Sequence, residues 1–373
     1  MTKITAIEKV NDYEPQNIET ALSSLLGQQN SLSFVKPGMK VAIKVNLVTG
    51  ASPEKAVTTH PQVVKALSAM IRARGGIPVT GDSPGGPFNE GALKHCYKLS
   101  GLISDGIELN YDTGISKASF PEGKVMKSIS YTSWLKEADA IIGVCKLKTH
   151  GMMKMSANVK NFFGAIPGTE KIEYHYRFPD HAAFADMLLD INEFLKPILY
   201  ITDAVVGMEG NGPTFGTPRK TGLLLASSDA YAIDAACAQI MGIDPMEVPT
   251  IKAAFERGLW SPDPTVDFSS YAVPDFELND KVKEIDFHGR FMPAFLVPAA
   301  KRLLQSKPGC ETKKCIGCGK CSEVCPAKAI VIKDKKPFID RNKCIRCFCC
   351  QEFCPAGAMR VKRPFAARAL ARL

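Results

Sequence analysis

Two runs of cysteine carry the clearest chemistry in this 373-residue chain. Cys315, Cys318, Cys321 and Cys325 have two, two and three residues between them and end in Pro326. Cys344, Cys347, Cys350 and Cys354 repeat the spacing and end in Pro355. Three closely spaced thiolates cap three irons of one cubane, and the fourth of each run reaches the other cubane. The spacing therefore predicts two [4Fe–4S] clusters. Cys315, Cys318, Cys321 and Cys354 are expected to hold the first, and Cys344, Cys347, Cys350 and Cys325 the second. Gly317 and Gly319 let the backbone turn tightly and aim amides at sulfur, which favours the reduced, more negative state. Zinc is the competing reading, but zinc prefers separated cysteine pairs. Cys349 reads as a spare thiol and Cys310 as a non-ligand.

Positive charge is the second, weaker signal. Residues 144–168 read VCKLKTHGMMKMSANVKNFFGAIPG, with four lysines, one histidine and no acid. Lys146 and Lys148 alternate at the end of a predicted strand, so both face one side. Thr149-His150-Gly151 reads as a turn, and Lys160 and Asn161 follow about three helical turns on. Lys44 and Asn46 repeat the arrangement at another strand end. Buried lysines are costly unless paired, so an anion, carboxylate or phosphate, is the expected partner. In this reading Lys148 and His150 are the catalytic pair. Lys44, Asn46, Lys146, Lys160, Asn161, Asp82 and Asp203 line the pocket. Asp82, Asp203, Glu209 and Asp229 offset part of the charge or bind a metal. The competing reading pairs the lysines with those acids or leaves them in water. His60 reads as a turn residue and Cys145 as packing. Neither a GxxxxGK[ST] loop nor a GxGxxG turn is present, and the Gly-rich strand exits GDSPGG and GMEGNGP are weak anion signals.

These residues need elements to position them. Apolar runs predict strands at 40–48, 77–80, 138–147, 198–201 and 223–226. Helices are predicted over 63–76, over 181–194 behind Asp180 as N-cap, and over 230–241. Alternating strands and helices imply an α/β fold, a mostly parallel sheet with helices on both faces. Ligands of such sheets sit outside the carboxyl ends of the strands, where the charged motifs fall. Lys44-Val45-Asn46 with His60 faintly echoes Lys146-Leu147-Lys148 with His150, as a duplicated half-domain would. The expected domains are an α/β unit at 1–290, a helical connector at 291–307, a two-cluster ferredoxin-like unit at 308–362 and a basic tail at 363–373 that packs on its own protein.

Charge is uneven. Residues 301–373 hold 18 Lys/Arg against 5 Asp/Glu, whereas residues 1–300 hold 29 against 33. Each cubane with its four thiolates adds about two negative charges, so local compensation explains the basic segment better than nucleic acid does. No run of 18 apolar residues predicts a membrane span, and the N-terminus lacks a leader-like apolar stretch. The expected address is the cytoplasm, where clustered cysteines point to metal. Cubanes also suggest an anaerobic setting.

The blocks KVNLV, TTHP, GDSPGG, KLKTHGMMKMSANVKNFFGAIPG and TDAVVGMEGNGPTFG resemble the signature blocks of domain-of-unknown-function family 362 over residues 5–290. Residues 308–362 resemble the two-cluster bacterial-type ferredoxin domain. The resemblance implies an iron–sulfur protein and transfers no substrate or catalytic role. The resulting expectation is an oxidoreductase. Electrons come from a redox partner, a ferredoxin or a reductase, and reach a small anion in the lysine-lined cleft. Lys146, Lys148 and Lys160 hold and polarise it, and His150 supplies a proton. No flavin motif is visible, so a further flavin, nucleotide or metal, or a radical route, is left open. The alternatives are a non-catalytic electron-transfer or ligand-sensing subunit and an assembly scaffold. The positive charge is expected to await an anion that the chain does not itself supply.

Overall fold

The structure, a computed structural model, describes residues 5–28, 30–278, 306–362 and 364. In chain order the larger unit runs β1 (Ala6–Lys9), α1 (Pro15–Gly27), β2 (Lys40–Lys44), α2 (Pro61–Arg72), β3 (Ile77–Gly81), α3 (Glu90–Leu99), β4 (Ile115–Ser119), β5 (Ser128–Thr132), α4 (Ser133–Lys136) and β6 (Ala140–His150). It continues through β7 (Lys154–Ser156), α5 (Asn158–Asn161), α6 (Glu170–Arg177), α7 (His181–Leu195), β8 (Leu199–Glu209), β9 (Thr217–Ser227), α8 (Ala230–Ile240) and α9 (Pro249–Glu256). The main sheet has the order β1-β9-β8-β6-β2-β3, with β7 paired to β6. β3, β2, β6 and β8 are parallel; β9 runs antiparallel between β8 and β1, so β1 shares their direction, and β7 runs antiparallel to β6. This is the expected mostly parallel α/β sheet.

Both faces are covered. Ile18 and Leu22 of α1, Val64 and Leu67 of α2, and Leu93 of α3 pack one side. Phe184 and Leu188 of α7, Ile233 of α8 and Ile251 of α9 pack the other. Burial on both faces explains why all eleven residues of β6 are buried and why its sequence does not alternate. Helix starts follow their capping chemistry. Asp180 Oδ1 accepts from Ala183 N at 2.8 Å, and His60 Nδ1 accepts from Gln62 N at 3.2 Å ahead of Pro61.

Three expectations change. Thr149 and His150 are not a turn: β6 continues through His150, and Lys154–Ser156 folds back on it. Lys160 therefore follows a hairpin and sits in a single helical turn, Asn158–Asn161. Asp229 caps α8 through Tyr231 N and Ala232 N, and Glu209 faces Arg219 and the Glu277 amide, so neither joins the lysines.

The cysteine-rich unit is built from β10 (Lys307–Cys310), α10 (Lys320–Glu323), β11 (Ile330–Lys333), β12 (Lys336–Ile339), α11 (Cys349–Glu352) and β13 (Met359–Lys362). β10 pairs with β13 and β11 with β12, both antiparallel. Lys307 is thus strand and not connector. The remaining connector prediction, apart from Ser306, and the basic tail, apart from Pro364, lie outside the described residues.

This unit sits on the carboxyl end of the parallel strands. Gln351 Nε2 donates to Asn211 Oδ1 at 2.7 Å and to Gly212 O at 3.1 Å. Thr214 Oγ1 donates to Glu352 O at 3.2 Å. Phe348 is buried in the core of the larger unit, with Val361 packed against it. At Gly85 a Cβ would lie 2.5 Å from the Phe353 ring, so the close seating requires glycine there.

Candidate functional site

The thiols come first, because their spacing carries the strongest signal. Cys315, Cys318 and Cys321 of the first run and Cys354 of the second line one cavity. Cys350 lies within electrostatic reach of Cys347, Cys344 and Cys325, and Cys344 of Cys347 and Cys325. Among the described residues no three Cys, His, Asp or Glu side chains close on a point as a single-ion site requires; in the first cradle the sulfurs ring a void. The last thiol of each run is treated alike: Ala329 N donates to Cys325 Sγ at 3.2 Å and Ala358 N to Cys354 Sγ at 3.3 Å. Such bonds stabilise negative charge on sulfur. These residues suit cubanes. Gly317 and Gly319 adopt φ of +72° and +77°, and their counterparts Arg346 and Phe348 adopt +59° and +60° without being glycine. A left-handed residue with a side chain costs about 1–2 kcal/mol. At Phe348 the burial of the ring against the larger unit offsets it. Cys310 also borders the first cradle, and Cys349 is fully buried beside Cys347.

Two buried ion pairs join neighbouring strand ends. Lys44 closes β2 and Asp82 follows β3, with Nζ and Oδ1 2.6 Å apart. Lys44 also donates to Val45 O at 2.7 Å and Asn161 O at 3.0 Å. Asp82 Oδ2 accepts from Leu47 N at 2.8 Å. On the next strand pair Lys146 lies opposite Asp203 in register, 2.6 Å from its carboxylate, and both side chains are fully buried. Lys146 donates to Tyr13 Oη at 2.7 Å and Val206 O at 3.2 Å, and Asp203 accepts from Tyr13 Oη–H and His60 N. Burial lowers the pKa of Lys44 and Lys146, and their aspartates oppose the shift. Each ammonium already has its acceptors. The expectation that these two lysines face a ligand is therefore corrected: the chain supplies their anions, because the strand order brings Asp82 and Asp203 beside them. Gly164 makes the first pair possible, since a Cβ there would collide with Asp82 Oδ1 and Lys44 Nζ.

The other cations gather where the cysteine-rich unit meets the sheet. Lys148 donates to Asn46 Oδ1 at 2.5 Å and Val57 O at 2.7 Å. Burial, then the charge of Lys160, drops its pKa to about 7. Lys171 donates to Ser83 O and Ile166 O at 2.8 and 2.6 Å, and burial lowers it to about 7 as well. Lys160, its pKa also lowered by burial, stands 5.8 Å over the Phe163 ring. His150 Nδ1 accepts from Met152 N and Met153 N, both at 3.1 Å, which leaves the proton on Nε2. That nitrogen points at Glu352 Oε2, 3.9 Å away, and has no hydrogen-bond partner among the described residues. Burial, then Lys160, holds His150 near 4, and burial holds His175 near 3. Burial alone would raise the Glu352 pKa, but Lys160, His150 and His175 together hold it well below the usual carboxylate range.

A cavity of about 50 Å³ opens among Asn46, Ser156, Lys160, Lys171, His175 and Glu352. Asp82 and Asn161 border it from the sheet side. Lys44, Lys146, Lys148, His150 and Asp203 are not among its walls. A water needs roughly 10–15 Å³ of such space, so this volume takes a few waters or a small anion, and not a flavin or a nucleotide. Lys171, His175 and Glu352 were absent from the sequence reading. Ile172 and Phe353 border the cavity and pack against the cluster of Val324, Cys347 and Cys349, and the Glu352 charge acts on Cys347, so the second cradle lies against it.

Comparison with known proteins agrees with the two-part organisation. A family model described as domain of unknown function (DUF362) matches residues 41–239, and one described as 4Fe-4S dicluster domain matches residues 314–358. The chain thus carries two [4Fe–4S] clusters. A thylakoid-associated protein of Synechocystis sp. is 33% identical over 261 residues, which is 69% of this chain and 81% of that protein. Among solved structures, the lactate racemase apoprotein of Thermoanaerobacterium thermosaccharolyticum aligns with TM-score 0.41 and 11% identity over 64% of this chain and 57% of its own. A protein of Thermotoga maritima aligns with TM-score 0.38 and 15% identity over 63% and 61%. The chain spans about three fifths of the length of each of these two structures. Among the described residues no helix is long and apolar enough to cross a membrane.

Proposed function

The chain belongs to the DUF362 family, and from that premise we propose that it is an oxidoreductase acting on a small anion, carboxylate or phosphate, held in the cavity under its ferredoxin module. One observation carries this reading: the module seats the second cradle against a cavity walled by Lys160, Lys171, His175 and Glu352. When bound, the two clusters supply a one-electron path from the outer surface to that cavity. Cys315, Cys318, Cys321 and Cys354 hold the outer cluster, and Cys344, Cys347, Cys350 and Cys325 the inner one. Lys160 and Lys171 hold the anion and stabilise charge that develops on it. The Nε2 proton of His150, aimed at Glu352, marks a route by which a proton reaches the site. The reduced partner is a one-electron carrier, a ferredoxin or a reductase. A cytoplasmic address belongs to this proposal alone, since the relative's name places that protein at the thylakoid.

The alternative, a non-catalytic electron-transfer or ligand-sensing subunit, is favoured by Glu352, which already brings one carboxylate to the cations. Anaerobic purification with iron and sulfide assay, mass spectrometry of released small molecules, and a redox titration with and without phosphate, bicarbonate or short carboxylates separate the two. The proposal expects about eight irons and a shift of the inner cluster's signal by one of these anions, lost in Lys171→Met. If no anion moves either cluster and Lys171→Met is silent, the cavity is not a substrate site.

A further inference from the structure

Three of the most exposed large apolar side chains among the described residues lie on the ferredoxin module. Ile316 is 68% exposed, Phe338 62% and Val331 54%. Soluble surfaces carry scattered apolar residues without consequence, but Val331 and Phe338 adjoin on one face of the hairpin and Ile316 stands at the rim of the first cradle. The β11–β12 hairpin lies along the first cysteine run: Lys336 Nζ donates to Thr312 O at 2.9 Å, and a Cβ on Gly317 would touch Lys335. Val331 and Phe338 are direct cross-strand partners. The opposite face of the hairpin, with Ile330, Ile332 and Ile339, packs on the cradle cysteines. Period-two alternation therefore leaves Val331, Lys333, Lys336 and Phe338 together on the outside. Lys333 Nζ sits 5.2 Å over the Phe338 ring. Ile316 stands between two residues of the first cradle, and its neighbour Cys318 is exposed.

The module is mostly positive, with Asp334 an exposed acid between Lys333 and Lys335. Residues 306–362 hold 13 Lys/Arg against 5 Asp/Glu, and one of those acids, Glu352, is turned into the cavity. Even after about two negative charges are counted for each loaded cluster, an excess of roughly four positive charges remains. Lys313, Lys333 and Lys335 are exposed beside the apolar residues. An apolar centre with a basic rim has the anatomy of a transient docking patch, and complementary charge steers such encounters.

We propose that the exposed hairpin face of Val331 and Phe338, with Ile316 at the cradle rim and Lys313, Lys333 and Lys335 around them, docks an acidic one-electron carrier protein beside the outer cluster. One electron leaves the reduced carrier and one is taken up by the oxidised protein, with no bond made or broken. The inference rests on the outward position of the first cradle in the proposed path.

The test is binding, read apart from turnover. An oxidised acidic [2Fe–2S] ferredoxin serves as probe, titrated calorimetrically into the full-length, cluster-loaded protein without oxygen. Lys313→Glu with Lys333→Glu should weaken binding about tenfold at low salt, and the difference should close near 0.5 M salt, where charge interactions fade within a few ångströms. Ile316→Ser should weaken binding at both salts. Iron content checks that the variants keep their clusters. No binding of the probe, or binding that ignores both variants, overturns the proposal. So does a patch that fails to respond to the probe but governs sedimentation with vesicles of phosphatidylglycerol and phosphatidylcholine, which would make it a membrane-facing surface. Reduction of the same samples by a small neutral reductant tests the electron path separately: failure there sinks the path while leaving the binding result standing.

Discussion

Lys148 and Lys171 give the sharpest quantitative prediction, because their buried amines should be mostly neutral above pH 7. Both have pKa values lowered by burial to about 7, whereas an unfolded lysine titrates near 10.4. At pH 8.5 each native amine is then only about 3% protonated and each unfolded one about 99%. Unfolding should take up about one proton per lysine. Because the unfolded state binds more protons, stability rises with pH across this window, by about 1.4 kcal/mol per pH unit for each lysine. The gain begins near pH 7 and ends near pH 10. Above that, buried tyrosines such as Tyr97 and Tyr200, whose pKa values burial raises, make the unfolded state the more acidic one and reverse the slope. The assay is proton uptake when the protein is unfolded in weakly buffered guanidinium at pH 8.5 without oxygen. Cluster thiols contribute equally to all samples and cancel in differences. Lys148→Met and Lys171→Met should each remove about one proton from the count, and the double variant about two. A difference near zero for either variant would mean that the amine stays charged in the fold, and the electrostatic account of that lysine would be refuted.

Three further outcomes follow from named contacts. Asp82→Asn strands the buried Lys44 charge and should cost about 3–5 kcal/mol, a melting decrease on the order of 10 °C for a domain this large; Gly164→Ala should approach the same loss, and a drop under 2 °C in both would show that the pair is not structural. Cys354→Ser should remove only the first cluster, lowering iron from about eight to about four per chain, with loss of the second cluster's signal instead meaning that the cross-ligation is reversed. Glu352→Gln should tighten binding of a small anion such as phosphate by about tenfold or more, since Lys160 loses a neighbouring carboxylate; calorimetry giving an unchanged affinity would show that Glu352 does not compete for that position.

Much of the architecture could be read along the chain because its determinants are local. The cysteine spacing and the Asp180 cap each lie within a few residues, and the Asp180 cap is where the sequence implied. The ion pairs are different in kind. Lys44 and Asp82 are 38 residues apart, Lys146 and Asp203 57 apart, and only the strand order makes them neighbours. The basic stretch therefore looked unbalanced when its acids were merely distant. The two pairs place a Lys-to-Asp contact on adjacent strand pairs, β2 with β3 and β6 with β8. Thr149-His150 was misread because a strand buried on both faces need not alternate. Lys171 lies in a helix between Glu170 and Glu173 and had the pattern of a solvated face, but α6 is seated so that Lys171 points inward.

Glu352 shows the limit of local reading most clearly, and it bears on mechanism. The first run reads Cys-Ser-Glu-Val-Cys and the second Cys-Gln-Glu-Phe-Cys, so Glu323 and Glu352 occupy the same place in the same motif. Glu323 points to solvent and pairs with Lys320 at 2.6 Å, an exposed contact worth little. Glu352 is driven under the module by Phe348, Gln351 and Phe353 and meets Lys160, His150 and His175. What separates the two glutamates is docking, not sequence. The carboxylate facing these cations is thus delivered by the electron-carrying module itself, in the helical turn between thiols assigned to the inner and the outer cluster. A small anion entering the cavity meets lysines that already share Glu352, so it must displace that carboxylate or accept a proton from its surroundings. Either event acts on the short helical turn that carries Cys350 and leads to Cys354, and this is why an anion at the cavity should register in the clusters at all.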